Sequence, residues 1–274
     1  MKYLLPIIVF LLLIVACTST TKDNSNRKVK TDTLASISNE IELPQEKVDT
    51  IIDLKDTTFH FSTYSVNVET VDSVEIPNLY SDAAVRENIL NNYDNAYKAF
   101  KGLEEYLKKT QSMYFKRNGK TLTLSLANGK TKELKDISKD NYDDILYTYE
   151  HFFPNINTYL VRGQYYEGNC YMIINRNTGE EKYTIGEIYA DPQNQKFIAI
   201  SEDLGARYSS NGLEMFEIKG EKFIKKFTID GGSWEPIALK WINDSSVIMK
   251  AHIRTGVDDY SYLTKFYKLT FQFF

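Results

Sequence analysis

From Ser112 to the C-terminus, short apolar stretches are cut every few residues by Gly, Asn and Asp. That punctuation leaves room for little except antiparallel β-structure. Asn118-Gly119 sits between the apolar stretches 113–116 and 122–126, and Asn-Gly is the strongest two-residue hairpin signal because both central positions of a type I′ turn need positive φ. Asn128-Gly129 opens a second hairpin towards 131–134. Further strands are expected at 159–164, 170–175, 181–185, 197–201, 212–218, 223–229, 237–241, 247–252 and 262–271. An acidic turn or short helix is expected between Asp136 and Leu146. No second long helical pattern interrupts the series. Twenty Tyr and fifteen Phe suit such a chain, since aromatic side chains pack well on a pleated surface.

Two elements precede the meander. Phe59, Phe61, Tyr64, Val66, Val68, Val74 and Ile76 recur at period two, as in half-buried strand, until Pro77-Asn78 ends the pattern. Ser81 then offers an N-cap for one long amphipathic helix over 82–109. Its stripe is Val85, Ile89, Tyr93, Ala96, Phe100, Leu103 and Leu107. Asp82 at its start and Lys108-Lys109 at its end match the helix dipole. Gly102 costs such a helix about 1 kcal/mol. The stripe is expected to pack on the sheet of its own domain.

A weak repeat runs through the meander. Tyr171-Met-Ile-Ile-Asn175, followed by Thr178-Gly179-Glu180, is echoed by Met215-Phe-Glu-Ile218, followed by Gly220-Glu-Lys-Phe223. Each is followed by a further turn and strand, after Asp191-Pro192 and after Asn243-Asp244. The two glycines are 41 residues apart, within the ~40–45 of a WD-repeat blade. Residues 155–274 therefore resemble β-propeller blades. The Gly-His and Trp-Asp dipeptides of true WD repeats are missing, and three blades are too few to close a ring. Thr228-Ile-Asp230-Gly-Gly232-Ser233-Trp234 is similar to the Asp-box turn of sialidase-type propellers, one residue short between Gly and Ser, and that box is a structural turn. The expected fold is mainly β: an antiparallel meander, or partial propeller-like sheets, with one long N-terminal helix.

The N-terminus carries an address. Lys2 precedes an apolar run from Leu4 to Ile14, and Leu13-Ile14-Val15-Ala16-Cys17 resembles a bacterial lipobox. About 14 residues are too few to span a bilayer, which takes ~20. The resemblance implies that residues 1–16 are a lipoprotein signal peptide and that Cys17 is diacylated, anchoring the protein to a cell-envelope membrane. Several acyl chains hold stably where one is marginal. By the sorting logic usual in the family it resembles, Thr18 rather than Asp after the cysteine favours the outer membrane. Residues 17–58 are polar and read as a disordered tether, 59–110 as strand plus helix, and 111–274 as the β-rich domain.

With 37 acidic against 33 basic residues and a net charge of −4, the chain lacks the basic footprint of a nucleic-acid binder. Lipidation of Cys17 would leave Cys170 alone, without a disulfide partner and in a buried-strand pattern. The three histidines, His60, His151 and His252, are too scattered for a zinc site. Neither a nucleophile elbow nor a phosphate loop is present, so no catalytic residue, metal or cofactor is expected. Carboxylates in loops, Glu202-Asp203 and Asp258-Asp259, leave a glycoside hydrolase as the remaining enzymatic reading.

Candidate binding residues lie on two connections. The longer, 202–212, carries Glu202, Asp203, Arg207 and Tyr208; the second, 231–236, carries Trp234 and Glu235. Arg, Tyr and Trp compose protein-binding hot spots, and aromatic rings also stack on sugars. The expectation is a non-enzymatic lipoprotein whose head binds another envelope protein as a scaffold or inhibitor. The alternative is a head binding glycan or peptide fragments, with Tyr165 and Tyr166 contributing.

Overall fold

The structure is a computed structural model, and it describes residues 54, 57–138, 144–165, 168–205, 209–255 and 261–274. The signal segment, Cys17 and nearly all of the expected tether lie outside the described residues. Among the described residues more than half are strand, all strand pairing is antiparallel, and two helices accompany it.

The first regular elements among the described residues form a hairpin, β1 (Thr57–Phe61) and β2 (Tyr64–Val71), in place of one continuous strand. Ser62-Thr63 makes its turn, and no regular structure follows over 72–78. Leu54 is fully buried, so the folded region begins a few residues before the expected end of the tether. The single expected helix is two: α1 (Ala83–Asn91) and α2 (Ala96–Gln111). The break falls on Asn92-Tyr-Asp-Asn95, where short polar side chains compete with helical hydrogen bonds. Asn95 caps α2 through its Oδ1, which accepts from the Lys98 N–H at 3.3 Å. The first helix is preceded by Asp82, not Ser81, and without a side-chain cap. Gly102 has a use, since a Cβ there would lie 2.6 Å from the Tyr93 ring that folds back from the break.

Three meanders follow: β3 (Phe115–Asn118), β4 (Thr121–Ser125) and β5 (Thr131–Lys135); then β6 (Leu146–Phe153), β7 (Thr158–Gln164), β8 (Asn169–Asn175) and β9 (Glu181–Thr184); then β10 (Glu187–Ala190), β11 (Lys196–Ser201), β12 (Gly212–Lys219) and β13 (Lys222–Asp230). Between β5 and β6, where an acidic turn or helix is expected, Ile137 bridges Ile145; residues 139–143 lie outside the described residues. The last sheet joins β14 (Trp234–Asn243), β15 (Ser246–Arg254) and β16 (Tyr262–Phe273) to the start of the chain, in the order β1-β2-β16-β15-β14. Phe271 faces Val66 and Leu269 faces Val68 in the β16–β2 pairing. The N-terminal strands thus complete the C-terminal sheet, and the 59–110 segment does not stand apart from 111–274.

Alternation explains the stacking. In β11, Phe197 and Ala199 face the β6–β9 sheet, while Ile198 and Ile200 face the β14–β16 sheet. In β7 and β8, Tyr159, Val161, Met172 and Ile174 pack towards β3–β5 and α2, and Leu160, Tyr171 and Ile173 towards β10–β13. A strand covered on both faces reads as a near-continuous apolar run, as Phe197-Ile-Ala-Ile200 does. The repeat glycines, Gly179 and Gly220, both turn at positive φ, between β8 and β9 and between β12 and β13. The repeat therefore marks equivalent hairpins of consecutive sheets.

Candidate functional site

A buried ion pair lies between β6 and β7. Tyr149 pairs with Val161 and His151 with Leu160, leaving Glu150 as the extra residue of a β-bulge. Its side chain is 4% exposed, and Oε1 accepts from Arg162 Nε at 2.9 Å. The Arg162 guanidinium also donates from Nη2 to the Tyr171 hydroxyl and covers the Phe100 ring at 4.0 Å. Arg86 of α1 reaches the same place. It donates to Asp82 at 2.7 Å and to the Glu150 carbonyl at 3.2 Å, and lies 4.0 Å above the Tyr80 ring. Tyr80 in turn donates to Glu187 Oε1 at 3.2 Å. Two arginines and their carboxylates thus fasten the helical segment to the ends of two sheets.

Beside this network opens a cavity of about 370 Å³. Arg162, Asn169 and Tyr171 line it from β7 and β8, Glu187 and Tyr189 from β10, and Ile200 and Ser201 from β11. Glu202 and Asp203 follow on the connection beyond β11, and Pro236 and Ile237 contribute from β14. Burial holds the Glu187 carboxyl above the usual carboxylate range, against the pull of Arg162. Glu202 is also raised, first by desolvation and then by the charge of Glu235, with His252 acting in the other direction.

The two connections expected to carry binding residues do converge. Glu235 accepts from the Leu204 N–H at 2.9 Å through Oε2 and contacts His252 Nδ1 at 3.2 Å through Oε1. Asp203 accepts from the Ser209 N–H, and Asn211 Nδ2 donates to the Trp234 carbonyl at 2.7 Å. Glu202 and Asp203 therefore face the cavity, with Glu235 supporting their loop. Trp234 is different: it is 1% exposed and belongs to the core between the last two sheets, so its ring presents nothing to a partner. A Trp that opens a strand on its core face is packed, not displayed. Gly231-Gly232-Ser233 forms the expected tight turn, with Gly232 N–H bonded to Asp230 Oδ1 at 2.9 Å. Arg207, Tyr208, Tyr166 and Asp258-Asp259 lie outside the described residues.

Arg162, Glu150, Tyr171 and Glu187 are absent from the candidates that sequence reasoning supplies. One signal was present: Glu150 and Arg162 each interrupt an apolar strand, Tyr147-Thr-Tyr-Glu-His-Phe-Phe153 and Tyr159-Leu-Val-Arg162, and buried charges are seldom left unpaired. Cys170 is half-buried on β8, 3.4 Å from the Tyr165 hydroxyl, and burial pushes its thiol up. Among the described residues, no group of three or more His, Cys, Asp or Glu side chains is placed to hold a metal ion. No helix among them is long and apolar enough to cross a membrane.

No protein-family model matches the chain, and no curated protein or solved structure shows a significant match to it.

Proposed function

We propose that this chain is a lipid-anchored cell-envelope protein, attached through Cys17, whose β-rich head captures an envelope ligand without transforming it. The observation that carries this reading is the polar cavity at the ends of the β6–β9 and β10–β13 sheets, beside the buried Arg162–Glu150 pair. Function on a rigid β scaffold concentrates in the connections at one end; Glu202 and Asp203 line the cavity beside Pro236 and Ile237, and Glu235 holds the Leu204 N–H of their connection. A cavity walled by Arg, Asn, Tyr and three carboxylates suits a polar fragment of glycan or peptide.

A protein partner is the second reading, in the scaffold or inhibitor sense. It is favoured by Tyr262 and Leu263, exposed at 36% and 50%, with the Tyr262 hydroxyl 3.6 Å from a Cβ placed on Gly205. The four stacked sheets are, on the same proposal, blades of a partial propeller with its last blade completed by β1 and β2. Outer-membrane attachment belongs to this reading as well.

The test is affinity isolation of the native lipidated protein from mildly solubilised envelopes, beside a Glu202→Gln/Asp203→Asn version. Co-isolation of a ligand that the double variant loses is the expected result. A ligand retained equally by both would remove the cavity from the account.

A further inference from the structure

The cavity has a lining specific enough to narrow its ligand, on the ligand-capture reading above. Its acceptors are the carboxylates of Glu187, Glu202 and Asp203. Arg162, the cation that lines it among the described residues, is already engaged by Glu150 and by Tyr171. Tyr171 is 7% exposed; its hydroxyl oxygen accepts from Arg162, and no hydrogen bond donated by that hydroxyl is found among the described residues. A buried donor left unmatched costs ~1–3 kcal/mol, which a ligand acceptor would recover.

Three ligand classes can be weighed against that lining. An anion would meet three carboxylates and a guanidinium that is already neutralised. An alkylammonium would satisfy the carboxylates, yet it has no lone pair for the Tyr171 proton. A hydroxyl group both donates and accepts, so a ring bearing several can give protons to Glu187 and Glu202 while accepting from Tyr171. Tyr171 and Tyr189 are the aromatic residues of that lining. The volume lies near the lower end of the ~300–1,000 Å³ range of small-molecule sites.

We infer that the cavity binds a neutral, hydroxyl-rich ring: one or two sugar residues of a glycan, held by Glu187 and Glu202 as acceptors and Tyr171 as donor.

The experiment uses the full lipidated protein in a non-glycosidic detergent. Methyl glycosides of glucose, galactose, mannose and N-acetylglucosamine are titrated by calorimetry and by saturation-transfer NMR, with N-acetyl-lysine amide and inorganic phosphate as the competing probes. At least one glycoside is expected to bind. Tyr171→Phe, which removes the hydrogen bond to the ligand together with the acceptor of Arg162 Nη2, should weaken it at least roughly tenfold. Glu202→Gln, at a position exposed on the rim, should weaken it as well without disturbing the fold, and Lys98→Ala on α2 should leave it unchanged. Binding of N-acetyl-lysine amide or phosphate alone, lost in Glu202→Gln, would overturn the sugar assignment while keeping the cavity. No binding by any probe, together with an envelope ligand indifferent to the cavity variants, would overturn both. Release of nitrophenol from nitrophenyl glycosides by wild type but not Glu202→Gln would uphold the ligand class and contradict capture without reaction.

Discussion

His151 shows how one side chain makes the head sensitive to acid. Its ring lies against Tyr80 and Phe153, at 5.2 and 4.7 Å, its Nδ1 is buried without a hydrogen bond, and Arg86 is nearby. Desolvation first, and then the Arg86 charge, push its pKa down to about 4, with Asp82 pulling the other way. The unfolded chain therefore binds the proton more readily than the folded one. The stability due to neutral His151 is complete above about 6.5 and is lost as pH falls towards about 4. A depression of this size corresponds to roughly 3 kcal/mol. Raised carboxyls such as Glu187 act with the opposite sign, so the difference between wild type and His151→Phe isolates the effect. Urea midpoints at pH 7 and pH 4.5 should show the variant losing less stability than wild type. Equal losses would remove His151 as the cause.

At the scale of elements, the attachment of α2 depends on one buried bridge. Arg117 of β3 donates from Nε and Nη2 to both oxygens of Glu104, at 2.7 Å each, and from Nη1 to Asp136 at 3.2 Å. Glu104 Oε2 also accepts from the Tyr149 N–H at 3.1 Å. Removing one partner of a buried pair strands the other, so Glu104→Ala should cost ~3–5 kcal/mol, while the exposed pair Lys98–Asp94 should matter little when broken. Equal, small effects in denaturant titrations would contradict this assignment. Gly186, just before β10, has no room for a side chain: a Cβ would lie 1.8 Å from the Ile200 carbonyl oxygen. Gly186→Ala should displace the strand that presents Glu187, and a loss of soluble folded protein on size-exclusion chromatography is expected. The hairpins were legible because turn chemistry is local: Gly119 and Gly179 turn at positive φ, although the first turn is Gly119-Lys120, one residue later than expected, with Asn118 closing β3 against Thr121. The break between α1 and α2 was not, because the apolar stripe continues across Asn92–Asn95 with the spacing of one helix. The bulge at Glu150 leaves no sequence mark at all, since an extra residue in one strand shows only against its partner.

For the whole molecule, sheet order and site differ in how far sequence could reach them. That 202–205 and Glu235 belong together was foreshadowed by loop length and composition, although the same composition wrongly put Trp234 on display. That these loops meet Arg162 and Glu187 depends on stacking two sheets whose strands lie tens of residues apart, which no local pattern encodes. The pairing of β2 with β16 likewise joins strands about 200 residues apart in sequence. The anchor is tested separately from the head. Cys17→Ala should leave an uncleaved precursor without lipid, seen by intact mass after envelope fractionation, whereas normal processing would contradict lipidation at Cys17. The central claim is that the cavity is the working face, and hydrogen–deuterium exchange tests it most directly. The native lipidated protein would be compared in isolated envelopes and after purification in detergent. Slower exchange in envelopes over 186–189, 200–205 and 234–237 is the result expected of an occupied cavity. Unchanged rates there, with protection confined to another surface such as the Tyr93 and Tyr97 face of the helices, would contradict it.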